Sequence, residues 1–212
     1  MIRVVDGLAV PPPLRYVALG DSYTIGTSVW AEDRWPNRLV ERLGGSLQLV
    51  ANLAVNGYTS RDVLEREVEE AIRLRPGFVT LLAGVNDVVR EVPEATYRAT
   101  MTTILDRLLG IVRPERVLVV STPDYTLTPE GSKYGDPAAR SAAIRRFNSV
   151  EAALAGARGI AFVDILDLSE RTVGDSSLVA SDGLHPSGRQ YALWIDRIAP
   201  VVGGLLATRP PG

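Results

Sequence analysis

Apolar positions in this chain gather into five short runs, and between the runs they thin out to a helical rhythm. The runs at residues 16–19, 47–53, 78–83, 117–120 and 160–163 are almost unbroken by polar side chains. Runs of this length and character predict strands buried on both faces, as in a parallel sheet covered on either side. Over residues 61–73, Leu64, Val68, Ala71 and Ile72 fall on one helical stripe, behind the caps Thr59 and Ser60 and ahead of the stop Pro76-Gly77. Asp136 and Pro137 open another helix, with Ile144, Phe147, Val150 and Leu154 on its apolar face. Pro186 opens the last, striped by Trp194, Ile198, Val201 and Leu205. Weaker helical patterns cover residues 36–43 and 95–112.

Strand and helix thus alternate five times, which predicts an α/β fold with one parallel sheet wound by right-handed crossovers. One domain is expected, its core spanning about residues 15–207. The longest irregular segment is residues 122–135, just past the fourth strand, where it is placed to act as a flap. Open parallel sheets bind their ligands beyond the carboxyl ends of the strands, so chemistry is sought in the loops that follow each run.

Composition narrows the chemistry. There is no cysteine and one histidine, His185. Disulfides, thiolate nucleophiles and Cys-type metal sites are thereby excluded, and a zinc site would need an all but carboxylate ligand set. The 23 basic and 25 acidic residues are interspersed, without a run of five like charges, so no polyanion footprint exists and nucleic acid is not an expected partner. Near the N-terminus Asp6, Gly7 and Pro11 to Pro13 interrupt the apolar residues, which suits neither a signal-peptide core nor a membrane span, so a cytoplasmic location is expected.

Four loops carry unusual polar residues. After the first strand, Gly20-Asp21-Ser22 places a serine hydroxyl at the start of a turn, where it reads as a nucleophile or as an ordinary cap. Asn56-Gly57 follows the second strand; it is a common turn signal, and its glycine also lets a substrate oxygen approach a backbone N–H. Gly84-Val85-Asn86-Asp87 follows the third, offering a cap or an amide donor aimed into the cleft. After the fifth strand comes Asp182-Gly183-Leu184-His185-Pro186. A tight turn there lets the carboxylate hold one ring nitrogen and leave the other to act as a base. Each loop has a plain structural reading; together, at one edge of one sheet, they supply a nucleophile, a base, its orienter and donors for an oxyanion, the set for acyl transfer. That set works without a metal or cofactor.

These four blocks, in this order, resemble those of the SGNH (GDSL-type) hydrolases over most of the chain. The resemblance implies Ser22 as nucleophile, His185 as base and Asp182 as its partner. It implies an oxyanion hole from the N–H groups of Ser22 and Gly57 and the side chain of Asn86, and a three-layer, flavodoxin-like α/β/α fold. Tyr23 stands where the family's nickname has leucine, which alters the pocket floor. The G-x-S-x-G elbow of the α/β-hydrolases is absent.

The activity so implied is hydrolysis of a small-molecule carboxylic ester through an acyl-enzyme. Sugar deacetylation, thioester hydrolysis and acyl transfer use the same residues and stay open, as does a non-catalytic, flavodoxin-like nucleotide or phosphate binder. Asp21 and Asp87 read as loop-organising acceptors and Arg189 as part of a solvated helix face. Trp30, Trp35, Tyr58 and Tyr125 are candidates either for pocket walls or for ordinary packing. The sequence leaves the oligomeric state open.

Overall fold

The computed structural model describes residues 4–5, 8–9 and 12–207, so Asp6, Gly7, Pro11 and the RPPG tail lie outside the described residues. Val4–Val5 pairs with Leu8–Ala9 in a short antiparallel ladder. The sheet consists of β1 (Leu14–Gly20), β2 (Leu47–Asn52), β3 (Phe78–Leu82), β4 (Val117–Val120) and β5 (Ala161–Val163). All its pairings are parallel and the spatial order is β2-β1-β3-β4-β5. The central strands β3 and β4 are buried along their whole length, which is why they read as continuous apolar runs. The one polar residue in β3, Thr80, is satisfied by Tyr16 across the ladder at 2.7 Å.

Between strands run α1 (Ser22–Ile25), α2 (Trp35–Arg42), then α3 through Ser60–Asp62, a π turn at Val63–Glu67 and Val68–Leu74, followed by α4 (Val85–Val89) and α5 (Glu94–Leu109). The chain continues through α6 (Pro137–Gly156), α7 (Leu166–Glu170) and α8 (Gly188–Ala207). Helices α2 and α8 pack together on one face, whereas α5 packs against α3 and α6 on the other, giving three layers around one apolar core. Thr59 and Asp62 close a capping box at the start of α3, in keeping with the expected cap.

Two expectations need correction. The last helix opens at Gly188, not at Pro186, because Pro186 bridges to Val179 while Ser187 accepts from the Gln190 and Tyr191 N–H groups and caps the helix. Residues 122–135 are not irregular throughout: they form two 3-10 turns, Tyr125–Leu127 and Gly131–Tyr134.

The order of the strands decides where a site can form. β1 is flanked by β2 and β3, so the connections that leave β1 and β3 run to opposite faces and a crevice opens between them.

Candidate active site

β1 ends on Gly20 with φ +148°, where an added Cβ would lie 2.2 Å from the Leu82 carbonyl oxygen and 2.7 Å from Thr24 Oγ1. A residue without a side chain is needed for the strand end to pass so close to β3. Asp21 then caps α1, its Oδ1 accepting from the Tyr23 N–H at 3.0 Å. Ser22 is therefore the first residue of α1, 8% exposed, with its N–H outside the helix ladder.

The second loop turns at Gly57, which has φ +79°. Among the described residues, neither the Ser22 N–H nor the Gly57 N–H has an acceptor. Three residues of the α4 segment hold this loop in place. Asn86 Nδ2 donates to the Tyr58 carbonyl at 2.9 Å and reaches Asp21 Oδ2 at a stretched 3.5 Å. Asp87 accepts from the Ser60 N–H at 2.7 Å and from its hydroxyl at 2.6 Å, and Arg90 donates to the Gly57 carbonyl at 2.8 Å. One amide hydrogen of Asn86 is thus committed and the other is weakly held.

In the turn after the fifth strand, Asp182 Oδ1 accepts from the N–H groups of Leu184 and His185, each at 2.9 Å. Asp182 Oδ2 lies 2.7 Å from His185 Nδ1. Partial burial pushes the Asp182 carboxyl up, but the hydrogen bonds from Ser28, the two backbone N–H groups and the imidazole outweigh it and hold the group well below the usual carboxylate range. The contact with Nδ1 directs Nε2 away from the carboxylate, and the ring rests tilted on Tyr23 with centroids 5.2 Å apart.

Ser22, Gly57, Asn86 and His185 line one cavity of about 250 Å³, together with Asn56, Tyr23, Val85, Val89, Tyr125, Tyr134 and Leu184. Among the described residues Ser22 Oγ has no hydrogen-bond partner, so no bond joins it to the imidazole here. Such bonds are commonly long before substrate draws the groups together. Among the described residues no group of three or more His, Cys, Asp or Glu side chains is placed to hold a metal ion.

Buried acids lie behind the crevice. Burial, reinforced by the charge of Asp87 and opposed by the Tyr23 N–H, pushes the Asp21 carboxyl up to about 7. Glu67, in the π turn of α3, accepts from the Gly20 N–H at 2.8 Å, and burial pushes its carboxyl up to about 9. Asp21 and Asp87 act as loop-organising acceptors, as expected, and Arg189 is an exposed residue of α8 that donates to Ser177 Oγ at 2.5 Å.

Of the aromatic candidates only Tyr125 lines the cavity. Trp35 is fully buried in the core, Trp30 is 77% exposed, and Tyr58 follows Gly57 in the second loop and packs under Arg66. Tyr134, Val85, Val89 and Leu184 line it without having been singled out from the sequence. Tyr134 stands edge-on to Tyr125, with centroids 6.1 Å apart, and the segment that carries both is tied to the histidine turn by the Glu130 N–H, which donates to the Gly183 carbonyl at 3.0 Å.

A family model described as the GDSL-like lipase/acylhydrolase family matches residues 18–193. No curated protein matches the chain. Among solved structures, TesA is 21% identical with a TM-score of 0.69, over 90% of this chain and 99% of that one. A catalytic mutant of Axe2, an acetylxylan esterase from Geobacillus stearothermophilus, is 19% identical with a TM-score of 0.70, over 94% and 97%. A G-D-S-L family lipolytic protein from Veillonella parvula DSM 2008 is 15% identical with a TM-score of 0.72, over 89% and 98%. At these identities the solved structures show a shared fold, and the family match bears out the resemblance carried by the four sequence blocks.

Proposed function

Because this chain belongs to the GDSL-like lipase/acylhydrolase family, we propose that it is a serine esterase acting on small carboxylic esters through Ser22, His185 and Asp182. The observation that carries the reading is the arrangement around one cavity: Ser22 and His185 both line it, and the imidazole is oriented from behind by Asp182 at 2.7 Å.

In this reading Ser22 Oγ attacks the ester carbonyl carbon and passes its proton to His185 Nε2. Negative charge gathers on the carbonyl oxygen, which is met by the free N–H groups of Ser22 and Gly57 and by the weakly held hydrogen of Asn86 Nδ2. As the tetrahedral centre collapses, His185 gives the proton to the leaving alkoxide and the acyl group stays on Ser22. Water, deprotonated by His185, then attacks the acyl carbon; as this second tetrahedral centre collapses, the imidazolium gives its proton to the Ser22 Oγ and the carboxylic acid departs. Asp182 keeps the proton-bearing Nδ1 facing itself and stabilises the imidazolium without accepting its proton.

The apolar part of the lining, Tyr23, Val85, Val89, Tyr125, Tyr134 and Leu184, suits an acyl chain or an aryl group. Among the described residues no lysine or arginine lines the cavity, which counts against the nucleotide or phosphate binder. Deacetylation, thioester hydrolysis and acyl transfer would differ in the alcohol or thiol bound and not in these residues. A cytoplasmic location accompanies the proposal on the sequence reading alone. Among the described residues no helix is long and apolar enough to cross a membrane.

Steady-state hydrolysis of short-chain nitrophenyl esters, acetylated sugars and acyl thioesters tests the proposal. Ser22→Ala and His185→Ala are each expected to lower kcat on the best substrate on the order of ten-thousandfold or more. A folded Ser22→Ala protein with the wild-type rate would overturn it.

A further inference from the structure

Immediately after α1 the chain adopts a backbone that a side chain disfavours. Gly26 and Thr27 both donate their N–H to the Ser22 carbonyl at 3.1 Å, which fixes where the segment leaves the serine, and Ser28 then takes φ +65°. A non-glycine residue in this left-handed region is uncommon and carries strain. The side chains of these two neighbours point to the two halves of the site. Thr27 Oγ1 donates to Asn56 Oδ1 at 2.6 Å, next to Gly57, and Ser28 Oγ donates to Asp182 Oδ2 at 2.6 Å.

The other partners of Asp182, the N–H groups of Leu184 and His185 and the imidazole itself, all lie within its own turn. They give the turn its internal shape but do not say where it sits relative to Ser22. The hydrogen bond from Ser28 comes from a residue 154 positions away and six from Ser22, on the segment anchored to the Ser22 carbonyl.

We propose that Ser28 is a positioning residue: by fastening the Asp182 carboxylate to the segment that carries Ser22, it sets the distance and angle at which His185 addresses the Ser22 hydroxyl. The left-handed backbone at position 28 is what turns the hydroxyl toward Asp182, so the strain has a function. This inference rests on the serine-esterase reading. The Asp182 side chain is 29% exposed, so water can take the place of the hydroxyl when it is removed, but water is not tied to the chain and supplies no registration.

The test uses Ser28→Gly, which accepts the left-handed backbone freely and lacks the hydroxyl, beside Ser28→Ala, which lacks the hydroxyl and keeps the strain. Both are measured in ester kinetics, in thermal unfolding, and in 15N–1H spectra of His185, the only imidazole in the chain and hence self-assigned. Expected is a fall in kcat of roughly three- to tenfold in both variants with KM changed by less than about twofold. The unfolding midpoint of Ser28→Gly is expected at or above that of the wild type, and the Nδ1–H signal of His185 broadens through faster exchange with water. A purely structural serine would leave Ser28→Gly with the wild-type kcat and an unaltered imidazole signal, and that result overturns the proposal. A Ser22→Ala control separates the two readings: a wild-type rate there sinks the esterase assignment itself. An inactive Ser22→Ala beside a fully active Ser28→Gly with an unaltered signal sinks only the role of Ser28.

Discussion

Asn86 commits one amide hydrogen to the Tyr58 carbonyl and holds the other loosely toward Asp21, so the same side chain both shapes the Gly57 loop and, on the proposed reading, keeps a donor for the oxyanion. Asn86→Ala is expected to lower kcat on the order of a hundredfold or more, the usual scale for one oxyanion donor, with the folded state confirmed by circular dichroism. An undiminished kcat would remove Asn86 from the oxyanion site. Ser22, Gly57, Asn86, Asp182 and His185 could be named from the sequence because four short blocks occur together in an order that resembles a known family, although each block alone reads equally well as a turn or a cap. Ser28 and Tyr134 were not. Their importance lies in contacts, Ser28 with Asp182 and Tyr134 edge-on to Tyr125 in the cavity lining, and one serine or tyrosine in a loop carries no local sign of what it will meet.

The π turn of α3 brings Glu67 beneath the end of β1, where the residue is 3% exposed and its carboxyl accepts from the Gly20 N–H. Its proton affinity is raised from 4.5 to about 9 by burial, so the folded chain keeps this group neutral while the unfolded chain ionises it. The sign follows from linkage: the folded state is favoured most below the unfolded value of 4.5, and stability drains away as pH rises from there toward about 9. Glu67→Gln mimics the neutral acid and cannot ionise. Its unfolding midpoint should match the wild type near pH 4 and rise progressively above it toward pH 9; a difference that does not vary with pH would contradict this account. At this scale the sequence is most readable where one rule acts alone. The five strands appear as apolar runs because both of their faces are covered, and the cap of α3 appears as Thr59. The π turn, α4 and α7 escape notice because elements of five residues are too short to show a period. The start of α8 shifts to Gly188 because tertiary pairing of Pro186 with Val179 overrides the local helix-start signal of the proline.

Across the whole molecule, strand order converts distant blocks into one site. Placing β1 between β2 and β3 opens the crevice beside Ser22, and the segment after β4 adds Tyr125 and Tyr134 to its lining and is fastened to the histidine turn through Glu130 and Gly183. Both tyrosines line the cavity of about 250 Å³. Tyr134→Ala should therefore shift the ratio of kcat/KM for longer or aryl acyl groups over acetyl upward by several-fold, since each added apolar group that fits is worth on the order of tenfold or more. An unchanged ratio across an ester panel would show that the tyrosine does not bound the acyl site. On the proposed reading, the Ser22 hydroxyl is made nucleophilic by the chain's one imidazole, which lies 163 positions further along the sequence. Intact mass after treatment with a fluorophosphonate is the sharpest check of that role. One adduct per chain is expected, mapped to Ser22, abolished in Ser22→Ala and strongly slowed in His185→Ala; an unlabelled wild-type protein, or an adduct elsewhere that persists in both variants, would overturn the assignment.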